Sequence, residues 1–139
     1  MANILVIDDQ DCVRQLLYEE LRDEGHEVLT AADVKSVANL FEARKVDLVV
    51  MDLYLDGYEG AKLLRAMKKV RPDLPVIIFT AYDTFREDPA LQEASDYIIK
   101  SMDLEPLKRA IAKGLRGELL SETYAAPDTE ITVEFESAV

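Results

Sequence analysis

A chain of 139 residues with 49% hydrophobic side chains is long enough for one core of ordinary size and a tail, and too short for two domains. Its 28 acidic residues outnumber 16 basic ones for a net charge of -12, and no basic stripe appears. This argues against direct nucleic-acid binding, which needs Lys or Arg to neutralise phosphates. No stretch approaches the roughly 18 apolar residues of a membrane span, so no membrane insertion is expected. The N-terminus lacks the basic leader of a signal peptide, and its apolar run ends in two acids. A single cysteine, Cys12, excludes an internal disulfide and fits a reducing compartment, so a cytoplasmic location is expected.

Five apolar runs have strand length: Ile4-Leu5-Val6-Ile7, Val28-Leu29 with their neighbours, Leu48-Val49-Val50-Met51, Val76-Ile77-Ile78-Phe79 and Tyr97-Ile98-Ile99. Their apolarity is continuous rather than alternating, which marks strands buried on both faces of a parallel sheet. Helical patterns separate them. Asp11 is placed to cap a first helix carrying Val13, Leu16, Leu17 and Leu21 on one face, with Cys12 as a small packed side chain and Gly25 as the stop. Asp33 caps a second helix with Val37, Leu40 and Phe41 inward. Ala61, Leu64 and Met67 mark a third, closed off before Pro72. Pro89 after Asp88 predicts a short fourth helix over about 89 to 94. Leu104, Leu107, Ile111 and Leu115 define a fifth, with Ser101 or Asp103 as its cap and Gly117 near its end.

A βα unit repeated five times, with right-handed crossovers, gives an α/β fold: a flavodoxin-like (βα)5 three-layer sandwich whose parallel sheet has strand order 2-1-3-4-5. The unit is expected over residues 1–117. Residues 118–139 read as an acidic C-terminal extension without an effector domain.

Ligands of open α/β sheets bind beyond the carboxyl ends of the strands, so the residues after each apolar run carry the chemistry. Asp8 and Asp9 follow the first strand, Asp52 the third, Thr80 ends the fourth, and Lys100 follows the fifth. Three carboxylates, a hydroxyl and an ammonium should converge. The carboxylates repel one another unless a cation intervenes, and a hard divalent ion such as Mg2+ suits oxygen ligands. A carboxylate can attack phosphorus to give an acyl phosphate. The metal, Lys100 and Thr80 are the right groups to balance the new oxygens.

In this order and spacing, Ile4-Leu5-Val6-Ile7-Asp8-Asp9, Val49-Val50-Met51-Asp52-Leu53, Gly60, Thr80-Ala81, Tyr97 and Lys100 resemble the receiver domains of two-component response regulators. The resemblance implies a phosphorylation-dependent signalling switch rather than an enzyme. In it Asp52 accepts a phosphoryl group from a sensor histidine kinase or phosphotransfer protein. It implies Mg2+ bound by Asp9 and Asp52, by Asp8 through water, and by the carbonyl of Tyr54. Lys100 would pair with the phosphoryl group, and Thr80 would turn toward it and let Tyr97 rotate inward. The surface of the fourth helix, fifth strand and fifth helix would then change for a downstream effector protein, and homodimerisation is open.

Some positions depart from the family pattern. Ser101 stands where a proline preceded by a cis peptide is usual, and Leu55-Asp56-Gly57 replaces the common Met-Pro, adding an acid near the metal site. Tyr54 and Tyr82 flank the phosphate position as two bulky aromatics. The alternative function is a phosphorylation-independent pseudo-receiver, an interaction module that keeps the fold. A dehalogenase-type phosphatase would need two aspartates two apart at one strand end, whereas Asp52 and Asp56 are four apart, and Asp8-Asp9 would repel a flavin phosphate. His26, the only histidine, lies in a connecting turn and reads as surface or packing.

Overall fold

The computed structural model describes residues 2–55, 58–83 and 86–117, with the backbone alone for residues 58 and 59. Five strands, β1 (Asn3–Ile7), β2 (Glu27–Ala31), β3 (Leu48–Met51), β6 (Val76–Thr80) and β7 (Asp96–Ile99), form one parallel sheet in the order β2-β1-β3-β6-β7, as the sequence predicts. Between them run α1 (Asp11–Asp23), α2 (Val34–Ala43), α3 (Gly60–Val70) and α4 (Glu105–Arg116). Because successive strand side chains point to opposite faces, β1 divides its residues between two cores. Leu5 and Ile7 join Val37 of α2 and Leu64 and Met67 of α3 on one face. Ile4 and Val6 join Leu17 and Leu21 of α1 and Leu107 and Ile111 of α4 on the other. Among the described residues no helix is long and apolar enough to cross a membrane.

Four local expectations are corrected. Asp11 is the first residue of α1 rather than its cap. Gln10 holds the cap position without a side-chain bond, while Asp11 pairs with Arg14 one turn later. In α1 only Leu17 and Leu21 are fully buried; Leu16 is 46% exposed and Cys12 is exposed, because the buried stripe of this helix is narrower than its apolar content. The fourth helix shrinks to one 3-10 turn, Pro89–Leu91, opened by the Asp88 carboxylate accepting from the Ala90 N–H at 2.9 Å. Beyond it the chain continues as turns, with the Ala94 N–H donating to the Leu91 carbonyl at 3.0 Å, until the Ser95 N–H donates to the Val76 carbonyl at 2.7 Å and draws the chain into β7. Finally, a two-stranded antiparallel ribbon, β4 (Tyr54–Leu55) and β5 (Tyr58–Glu59), lies between β3 and α3.

Other signals act as expected. The Asp33 carboxylate accepts from the Ser36 N–H at 2.8 Å and caps α2, and Gly25 takes the positive φ of 95° that ends α1. The cap expected at Ser101 or Asp103 is also corrected: Leu104 holds the cap position of α4 without a side-chain bond, Asp103 stands just before it, and Ser101 lies further back. Ser101 accepts from the Asp103 N–H at 3.1 Å, and Asp103 from the Glu105 N–H at 3.0 Å. This chain of turns leads into α4 where the family pattern has a proline, and no cis peptide occurs among the described residues. Asp56 and the acidic extension at 118–139 lie outside the described residues.

Candidate functional site

Strand register assembles the site. Ile7 is paired with Met51, so the next residues, Asp8 and Asp52, leave adjacent strand tips side by side. Thr80 is paired with Ile99, so Lys100 emerges one residue beyond it. Backbone bonds continue past the strand ends and hold these tips. Asp8 N–H donates to the Ala31 carbonyl at 3.1 Å, Asp52 N–H to Ile7 at 3.0 Å, and Lys100 N–H to Thr80 at 2.7 Å.

The ammonium of Lys100 bridges two acids, 2.8 Å from Asp8 Oδ2 and 2.9 Å from Asp52 Oδ2. Each carboxylate fixes its other oxygen on backbone: Asp8 Oδ1 accepts from the Gln10 N–H at 2.9 Å, and Asp52 Oδ1 from the Leu53 N–H at 2.7 Å. Asp8, Asp52 and Thr80 are the buried polar residues of the described structure, whereas Asp9 is exposed. Burial pushes the Asp8 carboxyl above its ordinary value of 3.8. The Lys100 hydrogen bond pulls it partly back, and the nearby Asp52 charge adds to the rise. For Lys100, burial is the largest influence and opposes its charge, but the two carboxylates together outweigh it and hold the ammonium above 10.5.

Asp8, Asp9 and Asp52 each bring a carboxylate oxygen within 4.8 Å of the others. Three hard anionic donors around one point, two buried and one open to solvent, fit a Mg2+ ion that keeps part of its water shell. Thr80 is fully buried at the end of β6, and its hydroxyl lies 3.5 Å from the Tyr82 N–H. Tyr97 is 8% exposed and its hydroxyl donates to the Tyr82 carbonyl. Tyr54 and Tyr82, both about half exposed, meet edge to face with ring centroids 5.3 Å apart and planes at 77°.

Gly60 closes the site from behind. Its N–H donates to the Leu53 carbonyl at 2.7 Å, and a Cβ there would stand 2.7 Å from that oxygen and 2.9 Å from the Asp52 carbonyl oxygen. Only a glycine lets α3 begin this close to the Asp52 backbone.

Two arginines escaped the sequence reading. Arg14 donates from Nη1 to the Asp8 carbonyl at 2.6 Å and pairs through Nη2 with Asp11, so it pins the acidic turn. The three-residue spacing of Asp11 and Arg14 on a helix was its available signal. Arg86 reaches Tyr97 from the β6–β7 connection, and no periodicity announces such a contact.

Residues 4–112 match the family described as the response regulator receiver domain. Sporulation initiation phosphotransferase F of Bacillus subtilis is 32% identical over 115 residues, 81% of this chain and 92% of that protein. Transcriptional regulatory protein GlrR of Escherichia coli is 34% identical over 116 residues, 82% of this chain but 26% of that protein. The chain thus spans about a quarter of the length of such transcriptional regulators. Among solved structures, the response regulator TrrA of Thermotoga maritima in complex with Mg2+-BeF is similar at a TM-score of 0.79 and 35% identity, over 83% of this chain and 100% of TrrA. TrrA in complex with the histidine kinase ThkA gives a TM-score of 0.77 at 35% identity, over 83% and 99%.

Proposed function

The chain belongs to the response regulator receiver domain family, and on that premise we propose that Asp52 accepts a phosphoryl group from a histidine kinase or phosphotransfer protein. One observation carries the reading: a single ammonium is shared by Asp8 and Asp52 at neighbouring strand tips, with Asp9 beside them. The kinase complex of TrrA and its Mg2+-BeF complex support the partner and the chemistry by similarity.

A carboxylate oxygen of Asp52 bonds to phosphorus as the bond from phosphorus to the donor imidazole nitrogen breaks, and that nitrogen keeps the electron pair. Mg2+, held by Asp9, Asp52 and the Tyr54 carbonyl and through water by Asp8, would supply positive charge to the phosphoryl oxygens. Lys100 exchanges part of its contact with the carboxylates for a phosphoryl oxygen, and the Thr80 hydroxyl turns to donate to another. The residue modifies its own chain and turns over no metabolite, so the function is a switch rather than an enzyme.

Thr80 and Tyr97 carry the change outward to the surface of the 3-10 turn, β7 and α4, where a downstream effector protein binds. Intact mass after treatment with Mg2+ and acetyl phosphate tests the acceptor. A gain of about 80 Da in the wild type and none in Asp52→Asn is expected. No gain in either would leave a phosphorylation-independent interaction module.

A further inference from the structure

The switch tyrosine is held from two sides. Its hydroxyl is fastened to the Tyr82 carbonyl. Its ring lies under the guanidinium of Arg86, 5.0 Å from Arg86 Cζ to the ring centroid. Arg86 also donates from Nη1 to the Tyr97 carbonyl at 3.0 Å, and its Nε is anchored on the Asp83 carboxylate at 3.0 Å. A planar guanidinium can stack on a ring and donate from its edge at the same time, which an ammonium cannot. The Tyr97 N–H, for its part, is taken by the Asp96 carboxylate at 2.8 Å. Both peptide groups of Tyr97 are therefore bound by side chains.

These contacts connect with the acceptor site. Tyr82 receives the Tyr97 hydroxyl through its carbonyl, meets Tyr54 through its ring, and turns its N–H toward Thr80. Tyr54 lies two residues beyond Asp52 and Tyr82 two beyond Thr80. Arg86 stands at the outer end of this chain of contacts, with nearly half of its side chain exposed, so it can be changed without opening the core.

We propose that Arg86 is a positioning residue that holds Tyr97 inward and thereby sets how far the β7 surface responds to phosphorylation. The inference rests on the switch reading above. With Arg86 in place the inward position is favoured before any phosphoryl group arrives, and the response is small. Without it, Tyr97 divides between inward and outward positions, and phosphorylation has more to shift.

Fluorine NMR of the full chain labelled with fluorotyrosine tests this, with the Tyr97 resonance identified by Tyr97→Phe. The inward-to-outward ratio should fall about tenfold in Arg86→Ala, equivalent to ~1.4 kcal/mol. Arg86→Lys should fall between the two, since it keeps the charge and loses the stacked plane. Added Mg2+ and beryllofluoride should move the Arg86→Ala signal back, by more than they move the wild type. A Tyr97 resonance of unchanged position and width in Arg86→Ala overturns the proposal. Asp83→Asn, which loosens the anchor alone, should move the same signal in the same direction by less, and an unmoved signal there also counts against it. Intact mass after treatment with Mg2+ and acetyl phosphate, measured in parallel on the wild type and Asp52→Asn, keeps the two readings apart. A shifted Tyr97 signal without any adduct overturns the phosphoacceptor reading while leaving Arg86 as the hold on Tyr97.

Discussion

Replacing Lys100 by methionine removes the cation from between two buried acids. At 2.8 and 2.9 Å, and with an effective dielectric constant of about 20, each attraction is about 6 kcal/mol before desolvation. Desolvation of the three groups cancels most of this, and removing one partner of a buried pair typically destabilises by about 3–5 kcal/mol. The side chains of Lys100 and Asp52 remain 17% and 11% exposed, which lowers the expectation to about 2–4 kcal/mol near neutral pH. The pH dependence follows from Asp8. Its carboxyl is raised above 3.8, chiefly by burial, so the folded chain binds more protons than the unfolded one above that value. Stability therefore falls as pH rises from 3.8 through the folded value. Loss of Lys100 takes away the pull that moderates the rise, so the fall in Lys100→Met should be steeper and extend to higher pH. The Lys100 contribution to the wild type is full below 10.5 and lost as pH climbs past the raised folded value. Since Mg2+ would supply positive charge to the carboxylates that the ammonium neutralises, it should stabilise the variant more than the wild type. At ten times its Kd a ligand adds about 1.4 kcal/mol, and a lower Kd adds more at the same concentration. Urea unfolding followed by far-ultraviolet circular dichroism, between about pH 4 and about pH 8 with and without Mg2+, reads all three effects. A Lys100→Met protein as stable as the wild type near neutral pH, with the same pH slope, would refute the reasoning.

Two glycines should respond differently to alanine. Gly60→Ala places a Cβ within 2.9 Å of three backbone atoms of Asp52 and Leu53, so about 1–3 kcal/mol of stability should be lost together with most phosphorylation at Asp52, as read by urea unfolding and intact mass. Gly114→Ala meets Cδ1 of the fully buried Leu48 at 2.8 Å and Pro75 Cβ at 3.3 Å, side chains rather than backbone, and its gain of about 1 kcal/mol of helix propensity offsets part of an overpacking cost of about 1–3 kcal/mol, so it should lose less stability than Gly60→Ala and keep phosphorylation at Asp52. The half-exposed rings of Tyr54 and Tyr82 shield the acyl phosphate from water in the proposed state. Tyr54→Ala and Tyr82→Ala should release phosphate faster, and equal or slower release in both would count against the shield.

The outline of the fold was legible because each strand is a run of residues buried on both faces, as in Leu48–Met51, where all four are buried. The tips of those runs, Asp8, Asp52, Thr80 and Lys100, gather as topology requires. Weak local patterns failed. Leu16 shares the apolar character of Leu17, but its angular place on α1 leaves it exposed. Asp11 has the chemistry of a cap and spends it on Arg14. The β4–β5 ribbon left a trace in Asp56-Gly57, a dipeptide favoured in two-residue hairpin connections, which went unread between strands of two residues each. Arg86 could not be found, since its hold on Tyr97 joins a loop to a strand eleven positions later.

The sheet order also governs how the chain can be made. β1 is the first strand to be synthesised, yet it lies inside the sheet, paired on both sides. Its run Ile4–Ile7 cannot be covered until residue 51 has followed, a wait of about 2–9 s at ordinary elongation rates. Asp8 waits longer, because the ammonium that neutralises it arrives with Lys100 after the last strand. A nascent chain halted before that point carries two strand-tip acids with no cation between them, so competence for the proposed phosphoryl transfer comes only to a chain whose five strands have all left the ribosome.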